Sequence, residues 1–223
     1  MSFESGDVLW RRRWTDVIPS IGRAMPHAPA AKRESRRPVG TEPSSRYRWA
    51  LQRLLELERR LGLVERLAHV KEDDGPDRVA GRVVASNYYV GHPAIVERRG
   101  GRIWIVDATP HRGGIAITPY EEWLDDLPGC SLWHGRLRGF ERDRRALVAL
   151  AAASAKGRPY SLLNLHLDDI GGFYCSKLLW WAVWNSLGLA IDSKPIPARC
   201  RWLTPRETAM QPCFDRLFWP GEY

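Results

Sequence analysis

Apolar positions along the chain follow a helical period first, then a strand period, then no period at all. Between Arg46 and Val70 they recur at steps of three and four: Tyr47, Ala50, Leu51, Leu54, Leu57, Leu61, Val64 and Ala68. That spacing predicts an amphipathic helix or helix pair packed on a larger body, with Arg53, Glu56, Arg59, Arg60 and Arg66 on its polar face. Gly62 is a point of interruption. Strand character comes in short runs. Gly6 to Trp10 reads as a strand entered from a Gly-Asp turn, and His92 to Glu97 and Arg102 to Ala108 flank Gly100-Gly101, a hairpin signal. Further strands are expected near Gly114 to Thr118 and near Cys130 to Leu137, with a helical turn started by Pro119 between them and running through Leu124. Two helices close the pattern. One, Glu141 to Lys156, is alanine-rich and ends at Gly157. The other, Cys175 to Leu187, is capped by Gly188.

The remaining segments are polar. Residues from about Thr15 to Ser45 are rich in Pro, Arg, Ala and Ser, with a charge run at Lys32 to Arg37, and read as a solvated basic loop. Lys71 to Asp77 forms a second polar stretch. The 223 residues suffice for one sizeable core, so one domain over 1–223 is expected. A net charge of +8 permits an anionic partner without choosing among nucleic acid, lipid and acidic substrate. The basic region from Arg11 to Arg37 has few interleaved aromatics and no nucleic-acid motif, so no nucleic-acid partner is expected. The opening residues lack an apolar signal core, and Thr15, Asp16 and Pro19 follow the Arg11-Arg12-Arg13 run where a twin-arginine signal needs apolar residues. The longest apolar run, Leu178 to Trp184, falls well short of the roughly 18 residues of a membrane span. A soluble, cytoplasmic protein is the expectation. Four cysteines, Cys130, Cys175, Cys200 and Cys213, show neither disulfide-framework nor zinc-ligand spacing, and no metal or cofactor is expected.

Chemistry concentrates at the start of the last strong helix. The sequence CSKLLWWAVWNSL is apolar nearly all round, so the helix belongs in the middle of a fold. Its first residue is Cys175, preceded by Gly171-Gly172-Phe173-Tyr174. A thiol at a helix N-terminus meets the positive end of the macrodipole and unpaired N–H groups, which favour the thiolate, the nucleophilic form. The same N–H groups suit an oxyanion formed when that thiolate attacks a carbonyl. An ordinary buried cysteine is the competing reading, and a partner base decides between them.

Of six histidines, His92 stands apart. His27 lies in the Pro-rich loop, His69 near a helix end, His134 in a strand and His166 in the loop before Cys175. His92 opens the hairpin. If Gly100-Gly101 form its two-residue turn, Arg99 pairs with Arg102 and Asp107 falls opposite Ala94, which shares a face with His92. His92 and Asp107 are then diagonal neighbours, and Asp107 can hold the imidazole. A strand-end Asp that only caps the next turn is the alternative for that residue.

Taken in order, several segments resemble the circularly permuted papain-like hydrolases of the YiiX-like branch of the NlpC-type superfamily. They are Gly6-Asp7-Val8-Leu9, Gly91-His92-Pro93-Ala94-Ile95-Val96, Val106-Asp107-Ala108, Gly157-Arg158-Pro159-Tyr160 and Tyr174-Cys175-Ser176-Lys177-Leu178-Leu179, with Thr204-Pro205 as a sixth correspondence. The resemblance covers residues 1–10 and about 87–210 and leaves 11–86 as an insertion. It implies an α+β fold in which an antiparallel sheet or barrel packs against a buried helix bearing the nucleophile. It implies Cys175 as nucleophile, His92 as base and Asp107, where the family more often has Glu, as the orienting acid. The implied reaction is hydrolysis of an amide bond through a thioester acyl-enzyme, on a small peptide of peptidoglycan type. Lipid acyl transfer or hydrolysis at an anionic membrane surface is the alternative among enzymes, and a binding module for an anionic partner is the non-enzymatic one. Tyr160, Tyr174 and Lys177 are the residues expected to line the site for substrate.

Overall fold

The computed structural model describes residues 2–13, 45–68, 91–125 and 130–220. The basic loop, His27, His69 and the polar stretch at 71–77 lie outside them. The described residues form six strands: β1 Val8–Arg13, β2 His92–Arg99, β3 Arg102–Thr109, β4 Gly114–Pro119, β5 Cys130–Leu137 and β6 Phe214–Phe218. They also form six α-helices: α1 Ser45–Leu61, α2 Leu63–Ala68, α3 Tyr120–Asp125, α4 Arg142–Ser154, α5 Cys175–Leu187 and α6 Pro205–Ala209. The strands make one sheet in the order β4-β3-β2-β1-β5-β6, with every neighbouring pair antiparallel. The fold is α+β.

β1 lies inside the sheet, between β2 and β5, which explains its composition. Val8, Leu9 and Trp10 are all fully buried, so both faces of the strand are covered and no polar alternation is left. One face carries Val8, Trp10, Ile95, Val106 and Trp133 and packs on α4 and α5 in the main core. The other carries Leu9, Ala94, Val96 and Ile105, closed by Phe3 and Trp123 in a smaller core. β1 runs on to Arg13, three residues into the segment assigned above to the insertion, because Arg11–Arg13 continue the ladder with Leu132–Cys130 of β5.

The hairpin register is as expected. Arg99 pairs with Arg102 and Ile95 with Val106, and Gly100 and Gly101 both sit at positive φ, as a turn with the right twist requires. At Gly6 positive φ coincides with close approach, since a Cβ there would lie 2.0 Å from the Arg145 carbonyl oxygen of α4.

Two elements went unpredicted. α6 starts with a complete capping box, Thr204 accepting from the Glu207 amide while Glu207 accepts from the Thr204 amide. β6 pairs with β5 at the sheet edge. α1 and α2 are separated at Gly62, as the apolar spacing suggested, and Glu58 of α1 is buried against the loop before α5. It accepts from Ser161 Oγ at 2.6 Å and from the amides of Leu162 and Leu163. Among the described residues no helix is long and apolar enough to cross a membrane.

Candidate active site

Cys175 is the first residue of α5 and is partly exposed, whereas eight other residues of that helix are buried. Tyr174 stands at the N-cap position without a side-chain capping bond, and the first helical backbone bond runs from the Leu178 amide to the Tyr174 carbonyl. The amides of Cys175, Ser176 and Lys177 precede that bond and face out of the helix N-terminus.

His92 meets this end of α5 from the first position of β2. Its Nε2–H donates to Asp107 Oδ2 at 2.8 Å, with both side chains buried. Nε2 being committed, Nδ1 is the nitrogen left for the thiol. Burial of the ring disfavours its charge, but the neighbouring Cys175 sulfur and the hydrogen bond and charge of Asp107 outweigh it. Together they raise the His92 pKa to about 9. Asp107 responds in the opposite sense. Burial works against its charge, yet the bond and charge of His92, the Arg11 guanidinium and the Trp123 N–H hold its carboxyl below the usual carboxylate range.

Asp107 has supports that sequence reasoning missed. Trp123 Nε1–H donates to the same Oδ2 at 2.9 Å, and Arg11 lies with its guanidinium carbon 4.3 Å from the centre of the Trp123 ring while donating to the Trp123 carbonyl at 2.8 Å. Asp107 Oδ1 is buried and receives no hydrogen bond among the described residues. The strand pairing Arg11↔His92 put Arg11 within reach of this network. Trp123, on a one-turn helix beyond β4, had no local signal to connect it.

The residues expected to line the site are placed differently. Tyr174 is buried, its hydroxyl donating to the Arg201 carbonyl at 2.9 Å and accepting from the Leu203 amide at 3.1 Å. Burial, the largest influence, pushes its phenol well up. It ties the C-terminal segment to α5 instead of presenting its hydroxyl to a ligand. Lys177 is fully buried, with Nζ donating to the carbonyls of Gly172 at 2.8 Å and Asn164 at 3.2 Å. Its amine is turned into the fold, away from solvent. Tyr160 is packed in the main core and bridges Phe173 through its backbone.

The second histidine–carboxylate pair is a structural one. His134 Nε2 bonds Asp7 Oδ2 at 2.8 Å, and Asp7 also accepts two bonds from Arg136 and one from the Glu4 amide. All four of those bonds are made within the fold. A cavity of about 420 Å³ beside the β2–β3 turn, lined by Arg102, Ile103, Trp104, Pro119 and Glu121 among others, includes none of the candidate residues. Among the described residues, no three His, Cys, Asp or Glu side chains gather to hold a metal ion.

No family model matches the chain, and neither does any curated protein. A solved structure does: the metalloprotein YiiX of Escherichia coli O157:H7 aligns over 97% of this chain and 98% of its own, with a TM-score of 0.51 and 15% identity. The chain has a YiiX-like fold.

Proposed function

We propose that this protein is a permuted papain-like cysteine hydrolase that cleaves an amide bond through a thioester acyl-enzyme. The single observation that carries the reading is the chain of contacts from Cys175 at the α5 N-terminus through His92 to Asp107. With its pKa raised to about 9, His92 is an imidazolium at neutral pH, the form that supports attack by the Cys175 sulfur as a thiolate. The thiolate attacks the acyl carbonyl, and the oxyanion is met by the outward amides of residues 175–177. His92 gives its proton to the departing amine, leaving a thioester on Sγ. It then takes a proton from water, which attacks the thioester and releases the acid with the thiolate and imidazolium restored. Asp107, held by Trp123 and Arg11, fixes the imidazole ring through both steps. A small peptide of peptidoglycan type is the proposed substrate class.

The test is direct. Incubation with a peptide and acyl-fragment library followed by intact mass measurement is expected to trap an adduct on Cys175 of the wild type and none on Cys175→Ala. In parallel, iodoacetamide at pH 6 is expected to label Cys175 about 100-fold faster in the wild type than in His92→Ala. Equal labelling of both proteins at the pace of an ordinary thiol would sink the proposal.

A second reading, action on lipid acyl groups, is favoured by one observation. α1 exposes Trp49, Leu57 and Leu61 beside Arg53, Arg59 and Arg60. Co-sedimentation with anionic but not neutral liposomes supports it, and an adduct formed only from peptide fragments rejects it.

A further inference from the structure

Among the described residues Lys177 is the one fully buried lysine, two residues beyond the proposed nucleophile. Burying an amine is costly unless its donors are used, and here they are spent on backbone. Nζ donates to Gly172 O at 2.8 Å and Asn164 O at 3.2 Å and lies 5.0 Å from the centre of the Phe173 ring. Those two carbonyls belong to the middle and the C-terminal end of the loop that leads into α5. Other bonds tie the loop to itself as well as to its surroundings. Ser161 N bonds Phe173 O, Phe173 N bonds Pro159 O, and Asp169 Oδ1 accepts from Asn164 Nδ2 and Gly171 N. Gly172 has no slack, since a Cβ there would lie 2.6 Å from Ser161 Cβ. The amine therefore joins the first turn of α5 to a closed, tightly packed loop whose last residues set the direction in which Cys175 leaves the backbone.

We infer that Lys177 is a positioning residue: its buried amine clamps Gly172 and Asn164 under the first turn of α5 and thereby aims the Cys175 thiol and the outward amides. The inference rests on Cys175 being the nucleophile. An apolar side chain of the same length fills the space but leaves two buried carbonyls without a donor. The groups facing the amine are Asp168, Asp169 and His166 of the loop and Cys200 of the C-terminal segment. Burial, the largest influence, draws the amine down to about 7, against Asp169, Cys200 and Asp168, which raise it. The clamp thus titrates near neutral pH. The closed loop holds the amine at about 7, whereas an opened loop returns it to its ordinary 10.5. Between those values the opened form carries the extra proton, so closure strengthens as pH rises from about 7.

The experiment is iodoacetamide alkylation of the intact chain between pH 5.5 and 9, read at Cys175 by peptide mass, in wild type, Lys177→Met and His92→Ala. Lys177→Met is expected to unfold cooperatively, to lose about tenfold in Cys175 rate, and to lack a step near pH 7 that the wild-type profile contains. Lys177→Met reacting like the wild type at every pH overturns the inference. A slow Lys177→Met beside a His92→Ala that matches the wild type supports the clamp and rejects the His92 pairing instead. Should Lys177→Met not fold, hydrogen exchange of the Ser161 and Phe173 amides in the wild type decides. Protection that rises from pH 7 upward, after correction for intrinsic exchange, supports the clamp, and protection flat with pH overturns it.

Discussion

At the scale of single residues, the site depends on one oxygen. Asp107 Oδ2 receives both the His92 and the Trp123 N–H, so it is fixed from two directions while Oδ1 is left over. Asp107→Asn puts an amide where the imidazole needs an acceptor. Its expected effect is a loss of about 100-fold in Cys175 alkylation at pH 6, with a normal circular dichroism spectrum. Trp123→Phe keeps the ring and removes one donor. A loss of about 1 kcal/mol of hydrogen bonding predicts a decrease of about fivefold, and an unchanged rate shows that Asp107 is held without it. His92 and Asp107 were legible because both lie on a hairpin with a two-glycine turn, where register follows from counting. Trp123 was not, since an indole on a short helix beyond the next strand has no fixed offset from the strand it serves. The Lys177 placement was also hidden, because a lysine in the first turn of a helix carries no signal of the loop packed beneath it.

Among the elements, α1 has a consequence beyond its amphipathic surface. The apolar spacing gave its extent, but the important contact is polar. Glu58, 5% exposed, meets Ser161 Oγ and two loop amides in the segment leading to α5. Glu58→Ala leaves those donors buried without an acceptor. It is expected to cost about 2 kcal/mol in urea unfolding and to make α1 the first site of tryptic cleavage. Glu58→Ala as stable as the wild type means that the helix is held by its apolar face alone. α5 was fully legible from its dense apolar run and its terminal glycine. β6 was not. It is five residues long, lies at the sheet edge, and only Phe214 is buried, so the alternation that marks a half-buried strand is absent.

For the molecule as a whole, two buried cations of the site region pull stability in opposite directions with pH. His92, raised to about 9 from 6.5, contributes stability that is intact below pH 6.5 and is lost as pH rises through 9. Lys177, lowered to about 7, makes stability rise with pH from 7 toward 10.5. Between pH 7 and 9 the two contributions oppose each other. In urea unfolding, the slope of stability with pH is expected to be more negative in Lys177→Met, and more positive in His92→Ala, than in the wild type. Parallel curves for all three proteins refute the assignment. The sheet order bears on how the molecule is made as well as on how it works. β1 is an interior strand whose partners, β2 and β5, follow it by many residues in the chain. At about 5–20 residues per second, β1 emerges from a ribosome on the order of 10 s before β5, with both of its hydrogen-bonding edges unpaired. Val8, Leu9 and Trp10, which end fully buried, spend that interval exposed. Synthesis therefore leaves an apolar segment in need of shelter, and yield in cell-free translation is expected to depend on added chaperone more steeply for the whole chain than for a version in which Val8–Trp10 are made polar.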